Sequence, residues 1–202
     1  SNNLEGIDLY SSSSNTVTNI TANSNDYGIY LYSSSSNTLT NITANSNTWD
    51  GIFLYSSSSN TFTDITANSN GKGILLGSSS SNTLTNITAN SNTWNGIDLG
   101  SSSSNTFTDI TTNSNSDYGI RIFRDSDNNT IANSTISNNI DAGLYLEESG
   151  SDDPEHNKIY NCLFNNSVNV KIDSGIVGEN HFNTTKRLGT RIYSNGNYIG
   201  GN

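Results

Sequence analysis

The chain has 202 residues and a formal net charge of −10, from eight Lys and Arg against 18 Asp and Glu. Only 31% of its residues are hydrophobic and 13% are charged, whereas an ordinary globular domain is nearer half apolar and a quarter charged. Ser, Thr, Asn and Gly dominate, and because all four are poor helix formers a helical bundle is excluded. The acidic balance argues against binding to nucleic acid. No apolar run reaches the roughly 18 residues of a membrane span. A single cysteine, Cys162, excludes an internal disulfide framework.

A short Gly-Ile/Leu-x-Leu/Ile unit recurs every 22 to 24 residues. It is followed by Ser-Ser-Ser-Ser-Asn-Thr-x-Thr-x-Ile-Thr and then by an Asn-rich turn. Side chains alternate between the two faces of a strand, so Ile29 and Leu31 face one way and Tyr30 and Tyr32 the other. We therefore predict three very short strands per unit. The units begin at Gly6, Gly28, Gly51, Gly73, Gly96, Gly119 and Gly143.

Stacking these units builds a core that no single unit has, because equivalent apolar residues then lie on top of one another. Three inward columns begin at Ile7, Leu9 and Val17. The predicted fold is an all-β, right-handed parallel β-helix of eight to nine coils, forming one domain over residues 1–202. A left-handed β-helix is the alternative, but its period is nearer about 18 residues, in hexapeptide steps. The fourth inward column is predicted as Ile20, Ile42, Ile65, Ile87, Ile110 and Ile136.

Two asparagine positions recur once per unit at the predicted turns. Asn tolerates the left-handed backbone conformation, so we expect both positions to form sharp turns. Stacked amides also hydrogen-bond along such a rod as ladders. The two columns are Asn15, Asn37, Asn60, Asn82, Asn105 and Asn129, and Asn23, Asn45, Asn68, Asn90, Asn113 and Asn138.

The repeat is regular over residues 1–118, irregular over 119–168, and ends in closing coils over 169–202. An acidic insertion runs from Glu147 to His156, and we expect Arg121 and Arg124 to lie close to it. Crowded carboxylates repel one another unless a cation separates them. Calcium is therefore the one cofactor that the sequence suggests, and a solvated acidic loop is the alternative interpretation. The candidate calcium ligands are Asp125, Asp127, Asp152, Asp153 and Glu155.

The motifs Gly-Ile-x-Leu, Ser-x-x-Asn-Thr-Leu-Thr-Asn and Ala-Asn-Ser-Asn resemble the NosD-type, carbohydrate-binding-and-sugar-hydrolysis class of right-handed parallel β-helix repeats. Similar Ser- and Asn-rich repeats are typical of surface proteins of methanogenic archaea. The resemblance implies an extracellular or cell-surface location and contact with polysaccharide. It does not carry over the copper of NosD, because the chain has no Met, one Cys and only His156 and His181, a meagre donor set for copper.

Outward aromatic residues offer a surface on which sugar rings stack. Aromatic ladders also stabilise neighbouring strands without any ligand, so both interpretations stay open. The candidate surface for carbohydrate or another partner consists of Tyr30, Tyr32, Phe53, Tyr55, Trp49 and Trp94.

No residue is assigned a catalytic role. Asp64 and Asp109 occupy one repeat position, but they lie two coils, roughly 10 Å, apart, which exceeds the separation of glycosidase carboxylate pairs. A polysaccharide lyase or hydrolase is the alternative, with its site at the acidic insertion beside Arg121 and Arg124.

Outward threonines form a Thr-x-Thr array over five stacked units, from Thr16-x-Thr18 to Thr106-x-Thr108. The array is similar to the face of insect antifreeze β-helices, so ice binding is a further hypothesis, although outward threonines are also ordinary strand formers. Several Asn-x-Ser/Thr sequons suit a glycosylated surface protein. They lie at Asn19, Asn41, Asn86, Asn128, Asn133, Asn165 and Asn183.

The sequence thus predicts a structural or adhesive rod outside the cell, without enzymatic activity. Its expected partners are further copies of itself, in filaments or a surface layer, or cell-surface polysaccharide. A carbohydrate-active module and an ice-binding protein are the alternatives.

Overall fold

A computed structural model of the chain describes residues 4–150, 153–176 and 178–183, together with the backbone of two short strands at 187–188 and 198–199. Within these residues all regular structure is β, and none of it is a helix able to cross a membrane. The strands are β1 (Glu5–Tyr10), β2 (Thr16–Thr21), β3 (Tyr27–Tyr32), β4 (Thr38–Thr43), β5 (Asp50–Tyr55), β6 (Thr61–Thr66), β7 (Lys72–Gly77), β8 (Thr83–Thr88), β9 (Ile97–Gly100), β10 (Thr106–Asn113), β11 (Tyr118–Phe123), β12 (Thr130–Ala132), β13 (Thr135–Ser137), β14 (Ala142–Glu147), β15 (Lys158–Tyr160), β16 (Leu163–Asn165), β17 (Val170–Ile172), β18 (Arg187–Leu188) and β19 (Tyr198–Ile199).

The strands stack into two long parallel sheets. Sheet A contains eight strands in the order β1-β3-β5-β7-β9-β11-β14-β17, and sheet B runs from β2 through β4, β6, β8 and β10 to β12 and β15, with β13 and β16 beside them. Each coil contributes one strand to sheet A, in a register that sets Ile29 on Ile52 and Ile52 on Ile74. The right-handed parallel β-helix is confirmed. Eight strands in sheet A correspond to about seven turns in the described residues, slightly fewer than the eight to nine predicted.

The second and third predicted strands of each coil merge in the first five coils. In β4, for example, Thr38–Thr43 is one strand that bends at Asn41, whose φ is 54°. Only beyond β10 do the two halves separate, into β12 and β13 and then into β15 and β16. Asn and Asp tolerate this left-handed conformation better than other non-Gly residues, which explains their presence at every bend: Asn19, Asn41, Asp64, Asn86, Asp109, Asn133 and Asn161.

The predicted turn asparagines form ladders, as expected, but most of them do not adopt the left-handed conformation. The backbone N–H of Asn37 donates to Oδ1 of Asn60 at 2.8 Å, and the Asn37 Nδ2 donates to the same oxygen at 3.1 Å. This pattern repeats from Asn15 to Asn129 and beyond, mostly in buried positions. The left-handed turns fall instead on serines, such as Ser33, Ser36 and Ser46.

Three of the four predicted core columns are confirmed, and the fourth is wrong at its last member. Ile136 pairs with Thr112, so it stacks over the alanine column Ala22, Ala44, Ala67 and Ala89 and not over Ile110. Ser134 lies next to Ile110 instead and donates its hydroxyl to the carbonyl of Ala132 at 2.7 Å. Ile replaces Ala in one column while Ser replaces Ile in the other, so the core volume is roughly conserved where the repeat becomes irregular.

Candidate functional site

The strands of sheet A carry nine aromatic and eight charged side chains on their outward side. Because the register is unshifted, outward residues stack in three columns parallel to the rod. The columns are Tyr10, Tyr32, Tyr55, Gly77, Gly100, Phe123 and Glu147; Asp8, Tyr30, Phe53, Leu75, Asp98, Arg121, Tyr145 and Lys171; and Glu5, Tyr27, Asp50 and Lys72, followed by Tyr118 in a later coil.

The first three coils form one continuous aromatic surface, which consists of Tyr10, Tyr27, Tyr30, Tyr32, Phe53 and Tyr55. Tyr10 and Tyr32 stack with ring centroids 5.1 Å apart and planes 3° apart, and Tyr32 stacks on Tyr55 at 5.5 Å. Tyr30 and Phe53 stack at 4.9 Å in the neighbouring column. Tyr10 is 63% exposed and Tyr55 is 42% exposed, so the surface presents flat rings to solvent. The stacking predicted for the outward aromatics is present.

Carboxylates surround this aromatic surface. Glu5 and Asp8 lie on the first coil, and Asp50 lies beside Phe53 on β5. Burial raises the pKa of Tyr27, and so do the charges of Asp50, Asp26 and Glu5. No Lys, Arg or His precedes Lys72 in the sequence. The aromatic surface therefore lies in a negative field, and the coils that carry it contain no cation to neutralise that field.

Two tryptophans stack at the corner that leads into sheet A. Trp49 and Trp94 lie two coils apart, yet their ring centroids are only 6.0 Å apart. The intervening coil has Gly71 at this corner, and a Cβ there would collide with the backbone carbonyl of Trp49. Both indoles are partly exposed, by 46% and 37%. The pair is thus an apolar ridge along the edge of sheet A, separate from the aromatic surface.

A ladder of alternating charges succeeds the aromatic residues along sheet A. Lys72 follows Asp50 in register and extends its Nζ to 2.5 Å from Oδ2 of Asp98. Arg121 lies on the other side of Asp98, with Nη1 3.6 Å from Oδ1, and donates from Nε to Oε2 of Glu147. We call Asp50, Lys72, Asp98, Arg121 and Glu147 the ionic ladder; it spans five successive strands of sheet A.

Burial governs the chemistry of the ionic ladder. Asp98 has no exposed surface, and its carboxylate oxygens receive no hydrogen bond besides the two ion pairs. Burial raises the pKa of Asp50 to about 7, although the charge of Lys72 lowers it. Burial alone would lower the pKa of Arg121. The hydrogen bond to Glu147 raises it, and the net change is a rise. Because Asp98 lies beneath its two cations, it does not contact a molecule bound on sheet A in this conformation.

Sequence reasoning missed the ionic ladder. Its one signal was the position of Lys72, the only cation before Arg121, in the outward column of a strand. Beyond it, Tyr145 donates its hydroxyl to Oδ2 of Asp173 at 2.8 Å, and Lys171 Nζ lies 4.1 Å from the centre of the Tyr145 ring. Burial and Asp173 both raise the pKa of the Tyr145 phenol.

One of the two arginines predicted to lie close to the acidic insertion contacts it. Arg121 lies on sheet A and binds Glu147, the first residue of the insertion, as well as Asp98. Arg124 is exposed, with its guanidinium 5.4 Å from the centre of the Phe123 ring. Oδ1 of Asp127 accepts a hydrogen bond from the backbone of Glu155 at 2.7 Å, and Asp125 is exposed. Among the described residues, no three His, Cys, Asp or Glu side chains could hold a metal ion together. Asp152 lies outside the described residues, and calcium stays a prediction.

The sequon asparagines lie mostly at the left-handed bends and turns. Asn41 donates from Nδ2 to Oδ1 of Asn19 at 2.7 Å, and Asn86 donates in the same way to Asp64 at 2.6 Å. Sequons therefore arise wherever a bend asparagine precedes Ile-Thr. Most of these asparagines are at least partly exposed, and their glycosylation stays a prediction.

The Thr-x-Thr array lies on the outward side of sheet B. Its two columns are in unshifted register over successive strands, as in Thr38 on Thr61 and Thr40 on Thr63. The array carries no charged side chain within its two columns.

Comparison with known proteins supports this architecture. The profile of the family described as periplasmic copper-binding protein (NosD) matches residues 1–202. No curated protein matches in sequence. The periplasmic alginate epimerase AlgG superposes with a TM-score of 0.76 at 19% identity, over 88% of this chain and 46% of that one. The Azotobacter vinelandii mannuronan C-5 epimerase AlgE4 A-module gives 0.76 at 18%, over 90% and 55%, and pectate lyase Pel9A gives 0.60 at 19%, over 70% and 41%.

These similarities show the fold, and the chain spans about half the length of the structures it matches. The copper in the family description does not fit the residues present. The chain has no Met, and burial raises the pKa of the single thiol, Cys162, to about 11. The imidazoles of His156 and His181 lie beside the carboxylates of Glu155 and Glu179, whereas copper favours imidazole and sulfur ligands together.

Proposed function

The chain belongs to the NosD family of periplasmic β-helix proteins, and we propose that it is a carbohydrate-binding module of a protein outside the cytoplasm, at the cell surface. The aromatic surface on sheet A carries the proposal. Six rings lie there on three consecutive coils, and several of them are stacked parallel to each other. Sugar rings have apolar faces that pack on aromatic rings of this kind.

The relatives in structure support the substrate class. Two of them are named as epimerases of alginate or mannuronan and one as a pectate lyase, so all three act on polysaccharides. A rod with a strand repeat near 4.8 Å offers a long straight face to such a polymer. The Trp49–Trp94 ridge borders that face and adds a second apolar contact.

Binding without cleavage is the proposed activity. The carboxylate with two adjacent cations, Asp98, is covered by Lys72 and Arg121, and it is not accessible to a sugar on the surface. A polysaccharide-degrading role is the alternative. It requires the cover to open, and Asp98→Asn would then abolish cleavage of polysaccharide while leaving binding intact.

Glycan binding tests the proposal. We expect the purified chain to bind oligosaccharides on an array, and Tyr32→Ala together with Phe53→Ala to weaken that binding at least tenfold, since each stacked ring contributes on the order of 1 kcal/mol. Thr40→Ala with Thr63→Ala on sheet B is the matched control and leaves binding unchanged. A chain that binds no glycan, or equal loss in both double variants, contradicts the proposal.

A structural or adhesive rod is the second candidate. The two long parallel sheets, stacked coil on coil in unshifted register, favour a stiff rod of this kind. Concentration-dependent filaments in electron microscopy would support this role, and a monomer at all concentrations would exclude self-association.

Ice binding is the third candidate, favoured by the uncharged two-column Thr array on sheet B. Thermal hysteresis tests this role. Thr40→Lys together with Thr63→Lys should remove any hysteresis, and an unmodified chain that shows no hysteresis would exclude ice binding.

A further inference from the structure

The charges around the aromatic surface indicate what kind of polysaccharide it accepts. Residues 1–71 contain five carboxylates and no Lys, Arg or His. Four of the five, Glu5, Asp8, Asp26 and Asp50, lie on sheet A or at the turn leading into it. The fifth, Asp64, lies at a bend of sheet B. Asp50 is largely protonated at about pH 6, because burial raises its pKa to about 7. Glu5, Asp8 and Asp26 therefore supply the negative charge on the side that carries the stacked rings.

Asp8 pairs in register with Tyr30 and Glu5 with Tyr27 on the adjacent strand, so these carboxylates lie next to the rings. The pKa of Tyr30 is raised by burial and by Asp8 and Glu5, and the pKa of Tyr27 by burial and by Asp50 and Asp26. The nearest described cation along sheet A, Lys72, is 2.5 Å from Asp98 and is directed away from the aromatic coils. A uronate polymer approaching this surface therefore meets like charge without a compensating cation.

We propose that the aromatic surface binds a polysaccharide that carries free amino groups. This inference rests on the proposed function and names its ligand class, which differs from the alginate and pectate of the structural relatives. A pyranose ring packs on the faces of Tyr30 and Phe53. A protonated amine on the ring is attracted both to the aromatic faces and to the neighbouring carboxylates.

The best probes are two oligosaccharides of the same length that differ in whether the amine is free or acetylated: glucosamine oligomers and N-acetylglucosamine oligomers. At about pH 6 the free amine is protonated while ordinary carboxylates are ionised. We expect the glucosamine oligomer to bind about tenfold more tightly than its acetylated counterpart, and the difference to shrink at high salt, which screens exposed charges. Equal affinity, or tighter binding of the acetylated oligomer or of alginate, would overturn the inference.

A pair of matched double variants locates the effect. Glu5→Gln with Asp8→Asn removes two carboxylates beside the aromatic surface, and Asp64→Asn with Asp109→Asn removes two at the bends of sheet B. Only the first pair should lower the affinity for the glucosamine oligomer, by about fivefold, while leaving that for the acetylated oligomer unchanged. An equal loss in both pairs means that net charge alone attracts the amine, which refutes the assignment.

Two further outcomes keep this inference distinct from the proposed function. If the acetylated oligomer binds at the aromatic surface and the amine adds nothing, carbohydrate binding stands and the ligand class is wrong. If an oligolysine peptide of equal charge binds as tightly as the glucosamine oligomer and Tyr30→Ala affects neither, the surface recognises positive charge and not sugar. If no oligosaccharide of any charge binds, both proposals fall.

Discussion

The Nζ atom of Lys72 lies 2.5 Å from Oδ2 of Asp98, a carboxylate with no exposed surface in the middle of sheet A. The two residues sit on adjacent strands in different outward columns, so the contact is diagonal. Arg121 approaches the other oxygen at 3.6 Å. A buried charge is tolerated when it is paired. This ion pair lies where the outward residues of sheet A change from aromatic to charged.

The pairing predicts the effect of removing its cation. Lys72→Met keeps the length of the side chain but leaves Asp98 with only the longer contact to Arg121, so we expect a loss of about 3 kcal/mol in the free energy of unfolding. Urea unfolding followed by circular dichroism measures it. The exposed Lys158→Met is the control, with a change of about 0.5 kcal/mol or less. Adding Asp98→Asn to Lys72→Met should recover much of the loss, and a double variant no better than the single one would contradict the ion-pair explanation.

Asp50 predicts how stability depends on pH. Its pKa is raised from an ordinary value near 4 to about 7, chiefly by burial. The native state then holds a proton that the unfolded chain releases, so this carboxyl favours folding below about pH 4 and loses that contribution as the pH rises to about 7. A shift of three pKa units corresponds to at most about 4 kcal/mol in the free energy of unfolding.

The test compares Asp50→Asn with the unmodified chain between pH 4 and pH 8, by thermal unfolding. The amide stays neutral, so the variant should lose less stability than the unmodified chain as the pH rises and should be the more stable of the two at pH 8. Asp64→Asn, an exposed carboxylate, is the control. If the thermal stability of all three proteins changes with pH in the same way, ionisation of Asp50 does not destabilise the folded state, and the prediction is wrong.

The glycine that recurs at the start of the sheet A strands predicts a steric effect. A Cβ on Gly28 would lie 2.5 Å from the carbonyl oxygen of Gly51 and 2.8 Å from Nδ2 of Asn47. Backbone and ladder atoms cannot move away without opening the coil stack, so Gly28→Ala should cost about 3 kcal/mol of unfolding free energy. A Cβ on Gly77 meets only the Tyr55 ring, at 3.2 Å. Gly77→Ala should therefore be nearly neutral, and equal costs at both sites would refute the steric argument.

Periodicity was enough to predict the stacking of equivalent residues, because register in a coil stack follows directly from the repeat length. Ile29, Ile52 and Ile74 lie on one another for that reason. The same rule failed at Ile136, where the serine at 134 takes the isoleucine position and the unit is no longer equivalent residue by residue. Repetition predicts structure only as far as the units stay equivalent.

Other features depend on geometry that a linear pattern does not encode. The Lys72–Asp98 contact joins different columns, so aligning repeats does not reveal it. The left-handed serines, such as Ser33, were missed because Ser has no strong preference for that conformation and the closed coil imposes it. Of the predicted binding residues, Tyr30, Tyr32, Phe53 and Tyr55 share one surface, while Trp49 and Trp94 form a separate ridge because the two-coil period places them at a corner.

The asparagine ladder gives the last prediction. Oδ1 of Asn60 accepts both the backbone N–H and the Nδ2 of Asn37, while its own Nδ2 donates to the carbonyl of Ser34 at 3.0 Å. Asn60→Ala removes the acceptor of the buried Asn37 N–H and the amide donor to Ser34, while Asn37 Nδ2 keeps its bond to the carbonyl of Ser12. This should lower the unfolding free energy by about 3 kcal/mol. Asn68, in the outer column, accepts one hydrogen bond from the backbone of Asn90 at 2.7 Å and is only half-buried. Asn68→Ala should cost about 1 kcal/mol, because water replaces the lost acceptor. Hydrogen exchange separates the two cases: the amide of residue 37 should lose protection in Asn60→Ala alone, and unchanged protection there would mean that the ladder contributes nothing to holding the coils together.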